Sequence, residues 1–369
     1  MRRLLLIPLT LALLALSPTA AGSLTVPSGG FIGISPQGPT DSADYELMQL
    51  AGIESVRLPM NWASTEPQAS DIDEPDWSDF DNQVAHAAEH GMAVFPFLWG
   101  TPEWVAPYPG AEPVESEWQR RAWTRFLRSA VERYGPRGEF WLENPDLPRL
   151  PIRRWEIWNE ENIVTFSHRP NPQRFAELIR ISGRLLHRVD PGSEVIMGGF
   201  FGRPLQTPPN VQSGDFLSRL YRSQRVKRFF DGVALHPYVA DAAAMRAEIV
   251  NLRRVMRVHH DAATPLYVTE LGWGSASFES RWERGPLGQA RELDRAFAML
   301  TYNRQRWQIG GVWWFSWADL TAACQFCDSA GLLTASREAK PSWYRFNAWT
   351  GGDAETVPRA STLALGDTP

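Results

Sequence analysis

Eight short apolar runs, each followed by a stretch of helical periodicity, recur between residues 30 and 350 and narrow what this chain can become. The runs are Phe31–Ser35, Ser55–Pro59, Met92–Phe97, Arg154–Trp158, Glu194–Phe200, Phe230–Leu235, Pro265–Thr269 and Gly311–Trp317. All have strand length, and most are fenced by Gly, Pro, Asn or Asp. Helices are expected over Asp41–Ala51, Trp77–His90, Ser116–Tyr134, Asn171–Val189, from Asp215, and over Asp241–His260, Pro286–Trp307 and Pro341–Trp349. Their starts are marked: Asp76 can cap the second, Ser116-Glu-Trp-Gln119 has the form of a capping box, and Asn171 precedes a proline at the first helical position. Pro136–Pro151 holds four prolines and reads as a loop. Strands alternating with helices predict a parallel sheet, and eight is the number that closes one. The expected fold is α/β, a (β/α)8 TIM barrel occupying residues 30–350 as a single domain. The 369 residues suit a barrel, which takes ~250 plus insertions.

The ends of the chain read differently. Arg2-Arg3, an apolar run from Leu4 to Leu16 and the small residues through Ala21 predict an export signal over 1–21, too short for a comfortable membrane span. The mature chain is then expected to be soluble and secreted, extracellular or periplasmic. Gly351–Pro369 reads as a flexible tail. A net charge of -5 with no Lys/Arg run argues against nucleic acid or an anionic membrane as partner. No obligate protein partner is evident. The two cysteines, Cys324 and Cys327, are expected to form a short-loop disulfide outside the cytoplasm. No cofactor is expected, since no P-loop or dinucleotide fingerprint is present; Gly198-Gly199 reads as close packing at a barrel rim. His86-Ala-Ala-Glu89-His90 matches a zinc-peptidase pattern, but it lies on a predicted outer helix with no further ligand, so no metal is expected.

A closed barrel would open every strand's C-terminal end on one face. Arg57, Asn61, Trp62, Trp99, Asn159, Glu160, His236, Tyr238, Glu270, Trp273 and Trp317 would then share a mouth. An acid at the end of a buried strand is costly unless it is paired or used. Two of them, Glu160 and Glu270, are what general acid and nucleophile chemistry on a sugar acetal needs, and some of the 17 tryptophans would offer flat faces to sugar rings. Glu156, inside its strand, reads as an interior charge satisfied by Arg57 or another base. Strict alternation would send Asn159 and Glu160 to opposite sides, so a bulge or a strand end is required there.

Glu156-Ile-Trp-Asn-Glu-Glu-Asn162, His236-Pro-Tyr238, Val-Thr-Glu270-Leu-Gly-Trp273 and a Trp-rich eighth strand together resemble the retaining glycoside hydrolases of clan A. Family 39 is the most similar and family 5 the next. The resemblance implies a catalytic barrel acting on oligosaccharides, polysaccharides or glycosides, with Glu160 as acid/base and Glu270 as nucleophile. It implies that Asn159 holds the sugar 2-hydroxyl, that Tyr238 and Arg57 orient the nucleophile, that His236 meets the acid/base or the substrate, and that Trp317 forms a platform, with Trp62, Trp99 and Trp273 also at the mouth. Retention would require carboxyls ~5–5.5 Å apart. The family pattern commonly has proline where this chain has Glu161, which reads as a solvated loop residue or, if it points into the mouth, as a carboxylate that raises the pKa of Glu160 or binds a polar substrate group. The alternative is a carbohydrate-binding barrel without catalysis.

Overall fold

The computed structural model describes residues 30–69, 75–223, 225–277, 280–321, 324 and 326–353. The expected export signal and the tail beyond Asp353 lie outside the described residues. In chain order the elements are β1 (Ile32–Ile34), α1 (Ser42–Leu50), β2 (Ser55–Asn61), α2 (Trp62–Thr65), α3 (Ser78–Glu89), β3 (Ala93–Trp99), α4 (Glu117–Tyr134), α5 (Glu139–Glu143), β4 (Arg154–Ile157), α6 (Pro172–Val189), β5 (Glu194–Phe201), α7 (Ser213–Tyr221), β6 (Gly232–His236), α8 (Ala242–Val258), β7 (Leu266–Leu271), α9 (Gly285–Tyr302), β8 (Ile309–Trp314) and α10 (Pro341–Thr350). The eight strands form a closed parallel barrel in sequence order, and β1 pairs with β8 through Ile32 and Val312.

Local chemistry accounts for the helix starts. Ser116 Oγ accepts from Gln119 N at 3.1 Å while Gln119 Oε1 accepts from Ser116 N at 3.2 Å, so both orphan amides are satisfied. Asn171 accepts from the amides of Gln173 and Arg174 ahead of Pro172, and Asp241 accepts from Ala244 N. Asp76 sits one residue earlier than expected, with Trp77 at the cap position of α3, but its carboxylate still takes the Ser78 amide at 3.0 Å. The proline-rich stretch after α4 is not all loop. α5 forms inside it because Phe140 and Trp141 bury there, and Trp141 donates to Tyr134 O at 3.0 Å.

Three strand details decide the site. β4 stops at Ile157, and Trp158 and Glu160 adopt φ of 74° and 44°, the left-handed region that side chains seldom occupy. In β5 the register shifts between Met197 and Phe200, placing an extra residue at Gly198-Gly199. In β7 it shifts between Val268 and Leu271, so Thr269 and Glu270 form a bulge. β8 ends at Trp314, three residues before the expected Trp317, because the backbone beyond bonds to the 330–333 segment instead of a strand: Ser316 N donates to Ala330 O and Leu332 N to Trp317 O.

The lower barrel is plugged by Phe95, Ile196, Ala234, Tyr267 and Trp313. Apolar faces of the outer helices cover the sheet, α6 supplying Phe175, Leu178, Ile179 and Leu186. No helix among the described residues is long and apolar enough to cross a membrane. The first residues of the expected flexible tail are tied down: Gly351 closes α10 at φ 76°, and Asp353 N donates to Leu50 O at 2.8 Å.

Candidate active site

Above the aromatic plug lies a layer of charge. Arg57, on β2, is fully buried with its guanidinium 4.0 Å from the centre of the Phe97 ring. Its Nε and Nη2 donate to the two Glu156 oxygens at 2.7 and 3.1 Å, Nη1 donates to Glu270 Oε1 at 2.6 Å, and Nη2 also donates to Asn159 Oδ1 at 2.9 Å. Burial works against this charge, yet Glu156 and Glu270 together raise its pKa above the ordinary arginine value. Glu156 is thus the interior acid satisfied by Arg57, as its place in β4 suggested.

Glu270 receives a second donor. Tyr238 Oη donates to Glu270 Oε2 at 2.6 Å, so each carboxylate oxygen accepts one short bond. Burial, reinforced by the Glu270 charge, pushes the Tyr238 hydroxyl well above the usual phenol value, and it remains a donor. The β7 bulge makes this possible: regular alternation would turn Thr269 and Glu270 to opposite faces, but both point into the barrel.

Glu160 meets different company. Its Oε1 lies 2.8 Å from His236 Nδ1, and burial followed by the Glu270 charge raises its carboxyl well above the ordinary value, with Arg57 opposing. Burial and the Arg57 charge hold His236 well below the usual histidine value, so the ring is neutral. An oxygen of Glu160, a nitrogen of His236 and an oxygen of Glu270 all lie within 4.8 Å of one another. The two carboxyls therefore stand close enough for their nearest oxygens to share one small site. The left-handed φ at Glu160 is the strand end that lets Asn159 and Glu160 both face inward. Asn162 fastens this turn by bonding Phe201 N, Phe201 O and Val211 O.

His236 reaches its position because β5 offers no side chain there. A Cβ at Gly199 would overlap the imidazole, which is the close packing expected of Gly198-Gly199. Gly199→Ala is expected to destabilise the fold by about 1–3 kcal/mol through overpacking, checked as a lowered thermal midpoint.

The expected tryptophan wall is mostly elsewhere. Trp62 is fully buried among Trp104, Trp123 and Phe126 at 5.4–5.9 Å, donating to Glu66 Oε2, because α2 turns its side chain outward beneath α4. Trp273 is buried against Trp314 and donates to Val239 O. Trp317 is 1% exposed, bonded to Asp44 Oδ1 at 2.8 Å and packed on Trp343, since the chain has already left the barrel. Trp62 and Trp273 have no face at the mouth, and Trp317 only lines a cavity with Gln37, Thr40 and Ala318 at the rim. Trp99 stays half-buried at the end of β3, edge-on to Phe166. The aromatic group that sequence reasoning missed is Phe315, directly after β8, whose ring centre lies 6.1 Å from that of Tyr238. Phe326 and Trp282 continue this wall, and the Cys324–Cys327 disulfide brackets Phe326. Asn61 is also diverted, capping α2 through Ser64 N.

Two further positions differ from expectation. Glu161 is fully buried rather than solvated, and neither of its oxygens has a hydrogen-bond partner. Thr269, unremarked in the sequence, joins His236 to Glu156. His86 and His90 lie on and just after α3, where His90 Nδ1 bonds to His86 O, and they join no cluster of three ligand groups among the described residues.

No family model and no curated protein matches the chain. Solved structures are similar in three dimensions. A family 39 glycoside hydrolase from the gut symbiont Bacteroides cellulosilyticus is 18% identical with a TM-score of 0.63, over 87% of this chain and 63% of that one. A monomeric beta-xylosidase from Caulobacter crescentus is 17% identical with a TM-score of 0.63, over 88% and 69%. The family 39 enzyme from Xanthomonas axonopodis pv. citri is 16% identical with a TM-score of 0.64, over 88% and 67%. The chain therefore spans about two thirds of the length of these relatives, 63% in the first case. What it shares with them is the fold, a (β/α)8 barrel similar to that of family 39 glycoside hydrolases.

Proposed function

We propose that this protein is a secreted retaining glycoside hydrolase, with Glu160 as acid/base and Glu270 as nucleophile. The observation that carries the reading is the contrast between two close carboxyls: Glu270 is held by the Arg57 and Tyr238 donors, while Glu160, facing His236, is raised well above the ordinary carboxyl value by burial. In the first step Glu270 attacks the anomeric carbon while Glu160 passes its proton to the departing oxygen, and the glycosidic bond breaks. In the second, Glu160 takes a proton from water, whose oxygen displaces Glu270 and releases the sugar with its configuration kept.

The surrounding groups suit these roles. Asn159 has its carbonyl occupied by Arg57, which leaves its amide to donate to a sugar 2-hydroxyl. Trp99 and Phe315 are the aromatic groups best situated to face a sugar ring. Export is proposed from the Arg2-Arg3 and Leu4–Leu16 pattern, and the Cys324–Cys327 disulfide fits an oxidising compartment. The substrate is an oligosaccharide, polysaccharide or glycoside. Since a structural relative is named a beta-xylosidase, aryl β-xylosides are the first substrates to try, then glucosides, galactosides, mannosides and arabinosides. Hydrolysis of at least one, absent in Glu270→Ala, is the expected result. Sugar binding without hydrolysis, unchanged in that variant, would replace the enzyme with a carbohydrate-binding barrel.

A further inference from the structure

Building on that reading, we propose that Thr269 and Glu156 are positioning residues that fix the tautomer of His236, so that its Nδ1 accepts a hydrogen bond from Glu160 and the acid proton rests on Glu160. The geometry is a chain of four groups. His236 Nδ1 is 2.8 Å from Glu160 Oε1, His236 Nε2 is 3.0 Å from Thr269 Oγ1, and Thr269 Oγ1 is 3.3 Å from Glu156 Oε1. All four side chains are buried, so no bulk water is at hand to reset the direction of these bonds.

Direction follows from proton counting. Burial raises the Glu156 carboxyl, but the permanent charge of Arg57 opposes this, and its Nε and Nη2 donate to both Glu156 oxygens, so as the ion-paired carboxylate Glu156 can only accept. The single Thr269 proton therefore goes to Glu156, and Thr269 Oγ1 accepts from His236. That puts the imidazole proton on Nε2. A neutral ring then presents a lone pair at Nδ1, and Glu160 must supply the proton between them.

The opposite arrangement has a case. Glu270 Oε2 lies 3.5 Å from Nδ1 and would welcome an N–H there. But Glu270 already accepts shorter bonds from Arg57 and Tyr238, at 2.6 Å each. With the proton on Nδ1, Thr269 would have to turn its hydroxyl to Nε2 and leave Glu156. Glu160 would then either be a second buried anion beside Glu270, with Arg57 already shared between Glu156 and Glu270, or have to hold its proton on Oε2, turned away from His236. An extra unpaired charge in a buried site costs far more than one lost hydrogen bond. The raised Glu160 and the lowered His236 agree with the first arrangement.

The consequence is catalytic. Once Glu160 gives up its proton, its oxygen faces a nitrogen lone pair instead of an N–H. A hydrogen bond made only to the neutral form disfavours the ionised one, so Glu160 is kept an acid before the first step and made a stronger base for water in the second.

Two measurements test this, and one needs no turnover. Histidine-ring 15N shifts of the whole protein, with His236 assigned by the loss of its signals in His236→Gln, should show an unprotonated Nδ1 and a protonated Nε2. A protonated Nδ1 in the wild type would overturn the proposal whether or not the protein is a glycosidase. Thr269→Val removes the hydroxyl at nearly constant volume, freeing His236 to turn its proton to Nδ1 and support the Glu160 carboxylate. The alkaline limb of kcat/KM, which reports the free acid, should then move to lower pH, and Thr269→Ser should restore it. A limb that stays in place in a folded Thr269→Val protein, or moves equally in Thr269→Ser, would leave Thr269 a packing residue. Absence of activity in the wild type would refute the glycosidase reading while the 15N result still decided the tautomer.

Discussion

Glu270→Ala is expected to abolish turnover of every glycoside the protein cleaves, while Glu160→Ala is expected to spare substrates whose leaving groups need no protonation. In their proposed roles the two acids differ in what they supply. Without Glu270 there is no covalent intermediate, and loss of a nucleophile of this kind costs on the order of 10⁶ in kcat. Without Glu160 the loss should be about 10²–10⁴ on poorly activated substrates. For a dinitrophenyl glycoside the first step needs no acid, so the slow step becomes attack by water on the intermediate. Azide needs no general base, and added azide should therefore restore turnover of Glu160→Ala and yield a glycosyl azide of retained configuration. With Glu270→Ala, azide enters from the vacated face and yields the opposite anomer. Product configuration by proton NMR reads both outcomes. The same anomer from both variants, or equal losses on activated and unactivated substrates, would mean that the roles have been assigned to the wrong residues.

The barrel, and the meeting of Glu160 and Glu270 inside it, were legible because they rest on short-range rules. Strand-length apolar runs and helix caps are local, and the step from eight alternating units to one open face is topological. What hid was whatever depends on a one-residue change of register. The bulge in β7 turns Thr269 inward beside Glu270, and a Thr next to a Glu in a strand carries no mark of it. The end of β8 at Trp314 rather than Trp317 moves the aromatic position at the mouth to Phe315 and sends Trp317 to Asp44. Tryptophans following strand ends attract attention as ring-facing surfaces, but Trp62 and Trp273 fill the space between barrel and helices, where a large side chain has the most apolar area to bury. The need for a strand end at Asn159-Glu160 was visible, since two consecutive residues cannot share a face without one, and the left-handed φ at Trp158 and Glu160 supplies it.

Glu161→Leu is expected to stabilise the protein, and more so at pH 8 than at pH 5. The side chain is fully buried against Gly198 at the β5 bulge, 2.7 Å from where a Cβ would stand, and neither oxygen is bonded. Burial raises its pKa well above the ordinary glutamate value, opposed by its own backbone amide and reinforced by Glu156, Glu112 and Glu160, so the folded protein holds a proton that the unfolded chain gives up. The stability associated with that proton is fully present below the unfolded pKa and is lost as pH rises toward the folded one, at about 1.4 kcal/mol per pH unit. Leucine removes both penalties: about 1–3 kcal/mol for an unsatisfied buried polar group at any pH, and the growing cost of keeping or losing the proton as pH rises. Glu112 and Glu160, whose carboxyls burial also raises, are present in both proteins, so the informative quantity is the difference in thermal midpoint between wild type and variant across pH 5 to 8. A difference that widens with pH assigns the effect to Glu161, and one that is constant or negative would show that its carboxyl is solvated or paired after all. Because the residue directly follows Glu160, kcat/KM of the same variant tests whether the buried acid is tolerated for what it does to its neighbour. Unchanged activity would make it a purely structural burden.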